Sequence, residues 1–206
     1  MLLYAVTDRA WIGKQSLYEQ VESALKGGVT CVQLREKEQS AAEFLMEAIQ
    51  IGKLCRRYHV PFIVNDNVEV AVKCGADGIH VGQKDMAANE VRKRIGEAMI
   101  LGVSVHTADE AVEAVQNGAD YLGVGAVFST ETKPDASVLP YETVREICRV
   151  ATVPVVAIGG IHKRNIHLLA GSGVDGAALV SAIFSAGDIE AECRKLRLLS
   201  ERIVNA

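Results

Sequence analysis

Gln33, Arg35 and Lys37 close an apolar run that begins at Thr30. If that run is a β-strand, alternate side chains share a face, so one amide and two cations converge while Leu34 packs behind them. Arg offers a two-pronged planar donor and Lys a point charge, a pairing suited to a strongly anionic ligand. Glu36 and Glu38 interleave with these cations, a pattern that also fits a solvated charged loop. A second chemistry resides in Asp66 and Asp85. Two carboxylates completed by phosphate oxygens and waters are the usual protein contribution to a Mg2+ site. Singly, each aspartate also reads as a helix N-terminal residue. Gly159-Gly160 and Ser181-Ala182 offer a third chemistry, because backbone N–H groups bare of bulky side chains can approach an oxyanion. Finally, Thr130-Glu131-Thr132-Lys133 supplies two hydroxyls and a cation, and the following Pro134 leads one to expect an extended backbone at Lys133.

These residues need elements to position them. Short β-type runs at 2–7, 30–34, 62–65, 78–82, 100–104, 121–125, 155–158 and 177–181 alternate with stretches of helical period, such as Leu17, Val21 and Leu25. A weak repeat punctuates them: Gly28-Val29-Thr30, Gly75-Ala76-Asp77, Gly118-Ala119-Asp120 and Gly173-Val174-Asp175 each precede an apolar run. Strict alternation implies parallel pairing through right-handed crossovers, and eight units close a barrel. The expected fold is therefore α/β, a single (βα)8 TIM barrel spanning residues 1–206, rather than an open doubly wound sheet. No Gly-x-Gly-x-x-Gly turn follows the first run. In such a barrel, chemistry belongs at the strand C-terminal ends. Gln33, Arg35, Lys37, Asn65, Asp66, His80, Asp85, Ser104, Gly160 and Ser181 all fall there. The long connection 125–140 after the sixth run reads as a lid. His80, flanked by Ile79 and Val81, reads first as a hydrogen-bonded structural histidine. His59, His106, His162 and His167 fall in expected helices or connections and take no role.

Composition removes several function classes. The chain has 206 residues, 49% hydrophobic, with a net charge of −4 and no long basic run. A nucleic-acid partner is therefore not expected. Its apolar runs are too short to span a membrane, and no leader pattern precedes the first strand, so a cytoplasmic location is expected. Five scattered cysteines, with Cys55 and Cys74 the nearest pair at 19 residues apart, suggest buried thiols rather than a disulfide framework. Barrel helices often pair into homo-oligomers, but no helical stripe singles itself out.

Two anion sites, a paired-carboxylate metal site, several cations and no clear nucleophile suit departure of a diphosphate, with a second pocket gripping a monophosphate. Along nearly its whole length the chain resembles the thiamine-phosphate synthase family. The resemblance rests on Tyr4-Ala5-Val6-Thr7-Asp8, QLREK at 33–37, Asn65-Asp66, GIHVGQKD at 78–85, GVS at 102–104, TETK at 130–133, AIGGI at 157–161 and VSAI at 180–183.

That resemblance implies a transferase joining 4-amino-2-methyl-5-(diphosphooxymethyl)pyrimidine to hydroxyethylthiazole phosphate, with dissociative loss of diphosphate. It also implies site roles. The segment Gln33, Leu34, Arg35, Glu36 and Lys37, with Asn65, Ser104 and Lys133, would bind the pyrimidine diphosphate; Gln33 would contact the pyrimidine, and Arg35, Lys37, Ser104 and Lys133 would act in catalysis. Thr130, Glu131, Thr132, Gly160, Val180 and Ser181 would bind the thiazole phosphate, and Asp66 and Asp85 would hold Mg2+. Ala126 and Ser129 stand where the family often has prolines. The alternatives are a thiazole tautomerase on the same barrel and a non-catalytic thiazole-phosphate-binding regulator. Neither has a use for two converging carboxylates.

Overall fold

A computed structural model describes residues 1–13, 15–130, 132 and 137–206. Eight parallel strands close into a barrel in sequential order: β1 Leu3–Val6, β2 Cys31–Leu34, β3 Phe62–Asn65, β4 Gly78–Val81, β5 Ile100–Val105, β6 Tyr121–Val124, β7 Val155–Ile158 and β8 Gly176–Leu179. Outside them lie α1 Leu17–Lys26, α2 Ala41–Arg57, α3 Val68–Cys74, α4 Ala88–Ile95, α5 Ala108–Gln116, α6 Tyr141–Val150, α7 Ser181–Phe184 and α8 Ile189–Val204.

The period-2 alternation of short strands divides the core into two layers. Leu3, Ala5, Val32, Leu34, Val64, Ile79, Leu101 and Leu122 face the helices in one continuous cluster. Tyr4, Val6, Cys31, Ile63, Tyr121, Val156 and Ala178 fill the barrel interior. Burial pushes the Cys55 and Cys193 thiols up to about 12, so they remain neutral packing groups.

The fourfold repeat read from the sequence has a physical cause. Gly28, Gly75, Gly118 and Gly173 all take positive φ, from 64° to 92°, which turns the chain out of the preceding segment at little cost to glycine. Two residues later a side-chain oxygen receives the first backbone N–H of the preceding odd-numbered strand or its neighbour. Thr30 Oγ1 accepts from Leu3 at 2.9 Å, Asp77 Oδ2 from Phe62 at 2.8 Å, Asp120 Oδ2 from Leu101 at 2.8 Å and Asp175 Oδ2 from Val155 at 2.8 Å. Each contact ties the N-terminal rim of β1, β3, β5 or β7 to the approach of the next strand. Asp77→Ala strands one such N–H and is expected to cost about 1–2 kcal/mol in denaturant unfolding. Asp77→Asn, which keeps an acceptor, should cost less.

Strict strand–helix alternation is not maintained throughout. Between β7 and β8 there is only a 3-10 turn, Ile166–Leu169. Asn165 uses its side chain to fasten this loop, accepting from His162 N at 2.8 Å and donating to the Gly160 carbonyl at 2.8 Å. Gly171 and Gly173, both at positive φ, then interrupt any further helix. Among the described residues, no helix is long and apolar enough to cross a membrane.

Candidate active site

The strand C-terminal ends surround one pocket, with a cavity volume of about 160 Å³. Gln33, Arg35, Asn65, Ser104, Thr130 and Thr132 line it, as do Gly160, Val180 and Ser181 on the other side. Nine of the residues expected at a site therefore meet around a single opening. Lys133 and Glu131 lie outside the described residues.

The expectation that Gln33, Arg35 and Lys37 share one strand face needs correction. β2 ends at Leu34, so alternation does not extend to the two cations. Gln33 points into the barrel and donates from Nε2 to Tyr4 Oη at 2.8 Å. Arg35 is fixed twice: its backbone N–H donates to Thr7 Oγ1 at 3.0 Å, and its Nη1 lies 3.0 Å from Asp8 Oδ2. Lys37 reaches across to Asp66, Nζ to Oδ2 3.8 Å. Leu34 has no exposed surface and belongs to the outer core layer, so its side chain is not presented to the pocket. Nor is that of Glu36. Its carboxylate is buried, pairs with Arg9 at 3.2 Å and accepts the Lys37 and Glu38 backbone N–H groups, bracing the loop that carries the cations.

The two aspartates also differ from helix-end residues. Asp66 adopts φ 62°, a left-handed conformation in which Asp and Asn are the best tolerated non-glycine residues. The N-cap of α3 is its neighbour Asn67, which receives Val70 N at 3.0 Å. Asp85 folds back to accept Gly82 N at 2.8 Å, and α4 begins only at Ala88. Both carboxyls are thus turned toward each other rather than spent on helix termini. Burial raises the Asp66 carboxyl, and the adjoining Asp85, hydrogen-bonded to it and like-charged, raises it further to about 6. Lys37 and Arg35 oppose that rise without cancelling it.

Two apposed carboxylates that repel at neutral pH fit a divalent cation bound in place of the proton. Among the described residues, no group of three His, Cys, Asp or Glu side chains converges. A cation held by this pair would need substrate oxygens and water to complete its shell.

The sign of the Asp66 effect can be measured. A carboxyl raised on folding binds more protons in the native state, so its ionisation destabilises the fold above pH 6 and ceases to do so as pH falls toward 4. Without divalent cations, Asp66→Asn is expected to melt above the unsubstituted chain at pH 8. Thermal scans should show that gap closing below pH 5. A pH-independent gap would remove the carboxylate repulsion from the description.

Two contributors, Asp8 and His106, were given no role from the sequence, and a third, Gln83, stood at the end of the fourth run with its role open. Asp8, just past β1, orients Arg35. His106, just past β5, lines the pocket, with Nδ1 3.1 Å from Glu110 Oε2. Gln83 ties β4 to β5 through Nε2 donating to the Ser104 carbonyl at 2.8 Å. Position immediately after a strand was the available signal for Asp8 and His106. His80 conforms to its structural reading, its ring nitrogens lying 2.9 Å from Tyr121 Oη and 2.8 Å from Ser104 Oγ.

On the opposite rim, Gly159 and Gly160 take φ 102° and 63° and bring the β7 loop against the β6 loop. Phe128 N donates to the Gly159 carbonyl at 3.1 Å, and Val127 N to Ile158 at 2.9 Å. A side chain at Gly160 would meet the Ser129 carbonyl oxygen at 2.2 Å. Glycine is needed for the approach as well as for φ.

A closed parallel barrel with this equipment at its strand C-terminal ends defines a (βα)8-barrel enzyme. The sequence pattern of the thiamine monophosphate synthase family matches residues 3–183. The chain is 48% identical to the thiamine-phosphate synthase of Ruminiclostridium cellulolyticum over 194 residues, 94% of this chain and 92% of that one. It is likewise 48% identical to the thiamine-phosphate synthase of Clostridioides difficile over 196 residues, 95% and 93% of the two chains. The solved thiamine phosphate pyrophosphorylase of Pyrococcus furiosus superposes with a TM-score of 0.90 at 39% identity, covering 98% of this chain and 96% of that one. The chain belongs to the thiamine monophosphate synthase family.

Proposed function

We propose that this barrel joins 4-amino-2-methyl-5-(diphosphooxymethyl)pyrimidine to hydroxyethylthiazole phosphate, giving thiamine phosphate and diphosphate. The observation that carries this reading is the division of the strand C-terminal ends. Arg35 and Asn65 line the pocket at β2 and β3, facing glycine-rich backbone at β7 and β8, while Lys37 and the Asp66–Asp85 pair stand at β2–β4 outside the pocket lining. The first half suits a diphosphate and the second a monophosphate.

In the proposed reaction, the methylene C–O bond of the pyrimidine breaks and diphosphate leaves with the electron pair. The thiazole nitrogen then donates its lone pair to the methylene carbon, forming the C–N bond. Arg35, held by Asp8, meets the charge that develops on the departing oxygens, with Lys37, Asn65 and the Ser104 hydroxyl beside it. Lys133, in the TETK segment, is assigned to the same group from the family resemblance. Gln33 holds the pyrimidine. Thr130, Thr132 and the backbone at Gly160, Val180 and Ser181 hold the thiazole phosphate, with Glu131 in the same segment. Bound by Asp66 and Asp85, Mg2+ would neutralise charge on the leaving diphosphate. No protein nucleophile is required, and the Cys55 and Cys193 thiols, pushed up to about 12 by burial, supply none.

Substrate omission separates this reading from isomerisation of the thiazole phosphate alone. Consumption of the thiazole phosphate is expected only when the pyrimidine diphosphate is also present. Turnover of the thiazole phosphate by itself would instead indicate a tautomerase.

A further inference from the structure

Five side chains from five strands form one hydrogen-bonded chain across the barrel. Gln33 Nε2 donates to Tyr4 Oη at 2.8 Å, and Tyr4 Oη lies 2.9 Å from Tyr121 Oη. Tyr121 Oη lies 2.9 Å from His80 Nδ1, and His80 Nε2 lies 2.8 Å from Ser104 Oγ. Only the two ends, Gln33 and Ser104, belong to the assigned pyrimidine diphosphate subsite. The middle is buried, with Tyr4 and Tyr121 each 2% exposed. The barrel makes room for it. A Cβ at Gly102 would lie 2.1 Å from Tyr121 Cζ, and one at Gly123 would lie 3.0 Å from His80 Cε1. Burial holds both tyrosines well above their ordinary range, so both keep their protons.

Each hydroxyl has one proton to give, so the direction of one link sets the next. Tyr4 receives from Gln33 and therefore gives its proton to Tyr121, a far better acceptor than the adjoining Cys31 thiol. Tyr121 in turn gives to His80 Nδ1. His80 is then protonated on Nε2 and donates to Ser104, leaving the Ser104 hydroxyl proton free for a ligand oxygen. At the other end, Gln33 has turned one Nε2–H toward Tyr4 and presents Oε1, an acceptor. Reversing the relay would turn Gln33 into a donor and Ser104 into an acceptor. We infer that this polarised relay makes Tyr4, Tyr121 and His80 positioning residues, which set Gln33 to accept from the 4-amino group of the pyrimidine and Ser104 to donate to its diphosphate. It thereby selects a 4-aminopyrimidine over its 4-oxo counterpart, whose oxygen would face Oε1. The inference rests on the proposed reaction for the identity of the ligand.

Two measurements test it on the full chain. In protein labelled with 15N-histidine, the His80 resonance is identified by its loss in His80→Gln and followed on adding the pyrimidine diphosphate without thiazole phosphate. The Nε2–H tautomer is expected. A proton on Nδ1, whether in the neutral or the doubly protonated ring, overturns the relay. The second measurement is calorimetric binding of the 4-amino and 4-oxo diphosphates. The unsubstituted chain is expected to prefer the amino compound by at least about 10-fold, the worth of one oriented hydrogen bond. Tyr121→Phe keeps the ring but cuts the relay, so the Gln33 amide can turn over; the preference should fall to within about 3-fold. The KM for thiazole phosphate should stay within about 2-fold of its original value, a split that general loosening of the barrel would not produce. Retention of the full preference in Tyr121→Phe overturns the inference. Should that variant fail to fold, the tautomer of His80 in the unsubstituted chain decides alone. Failure to form thiamine phosphate would count against the proposed reaction, whereas the tautomer reports on the relay independently.

Discussion

Asp66→Asn is expected to lower turnover by at least about 10²-fold with both substrates and saturating Mg2+, the scale seen when one charge-stabilising group is removed from a transition state. The substitution keeps the side-chain shape and suits the φ of 62° at this position, because Asn accepts the left-handed region as readily as Asp. Backbone damage therefore does not account for the loss. What disappears is one of two carboxylates turned toward each other, a pairing that adds to burial in raising Asp66 to about 6. The same change should stabilise the metal-free chain at pH 8. Gaining stability while losing activity is the mark of a strained functional pair. A near-normal rate would take Asp66 out of the reaction.

Gly160→Ala should have the second largest effect, with the KM for thiazole phosphate rising at least about 10-fold and the melting temperature falling. Two costs act together. The residue sits at φ 63°, where an added Cβ is strained, at about 1–3 kcal/mol for a sparsely populated conformation. The new methyl would also meet the Ser129 carbonyl oxygen at 2.2 Å and that of Phe128 at 2.8 Å. Backbone cannot yield as a flexible side chain can, so the β7 and β6 loops must separate. Those loops carry the groups assigned to the monophosphate, and binding should weaken before the chemistry does. Initial-rate kinetics varying each substrate would show this asymmetry. An equal loss toward the pyrimidine diphosphate would place Gly160 in general stability instead.

Most of the barrel was legible because its strands are short apolar runs introduced by a repeated glycine. Their boundaries moved by only one or two residues, as at β8, where Val180 and Ser181 leave the strand to cap and begin α7. The missing helix between β7 and β8 was not legible. It follows from Asn165 bonding to both His162 and Gly160, a closure that residue type alone does not reveal. Similar reasons separate the correct and incorrect parts of the site. Residues at strand ends could be placed by counting along each run, and seven of the ten named there line the pocket, Lys37, Asp66 and Asp85 being the exceptions. The segment 33–37 was read as one continuing strand, but the chain leaves the sheet after Leu34. Arg35 and Lys37 are consequently oriented by Asp8 and Asp66, partners 27 and 29 residues distant in the chain. The interior relay was the least accessible feature. Tyr4 and Tyr121 are 117 residues apart, and each reads in isolation as an ordinary aromatic core residue.

The central claim is the coupling of two phosphorylated heterocycles at this pocket. Its most direct test is a single incubation of the protein with 4-amino-2-methyl-5-(diphosphooxymethyl)pyrimidine, hydroxyethylthiazole phosphate and Mg2+, with thiamine phosphate and diphosphate quantified together over time. Equimolar appearance of the two products, abolished by EDTA and restored by Mg2+, is the expected result. Absence of thiamine phosphate, or its formation at full rate in excess EDTA, would contradict the reaction or the role of the Asp66–Asp85 pair respectively.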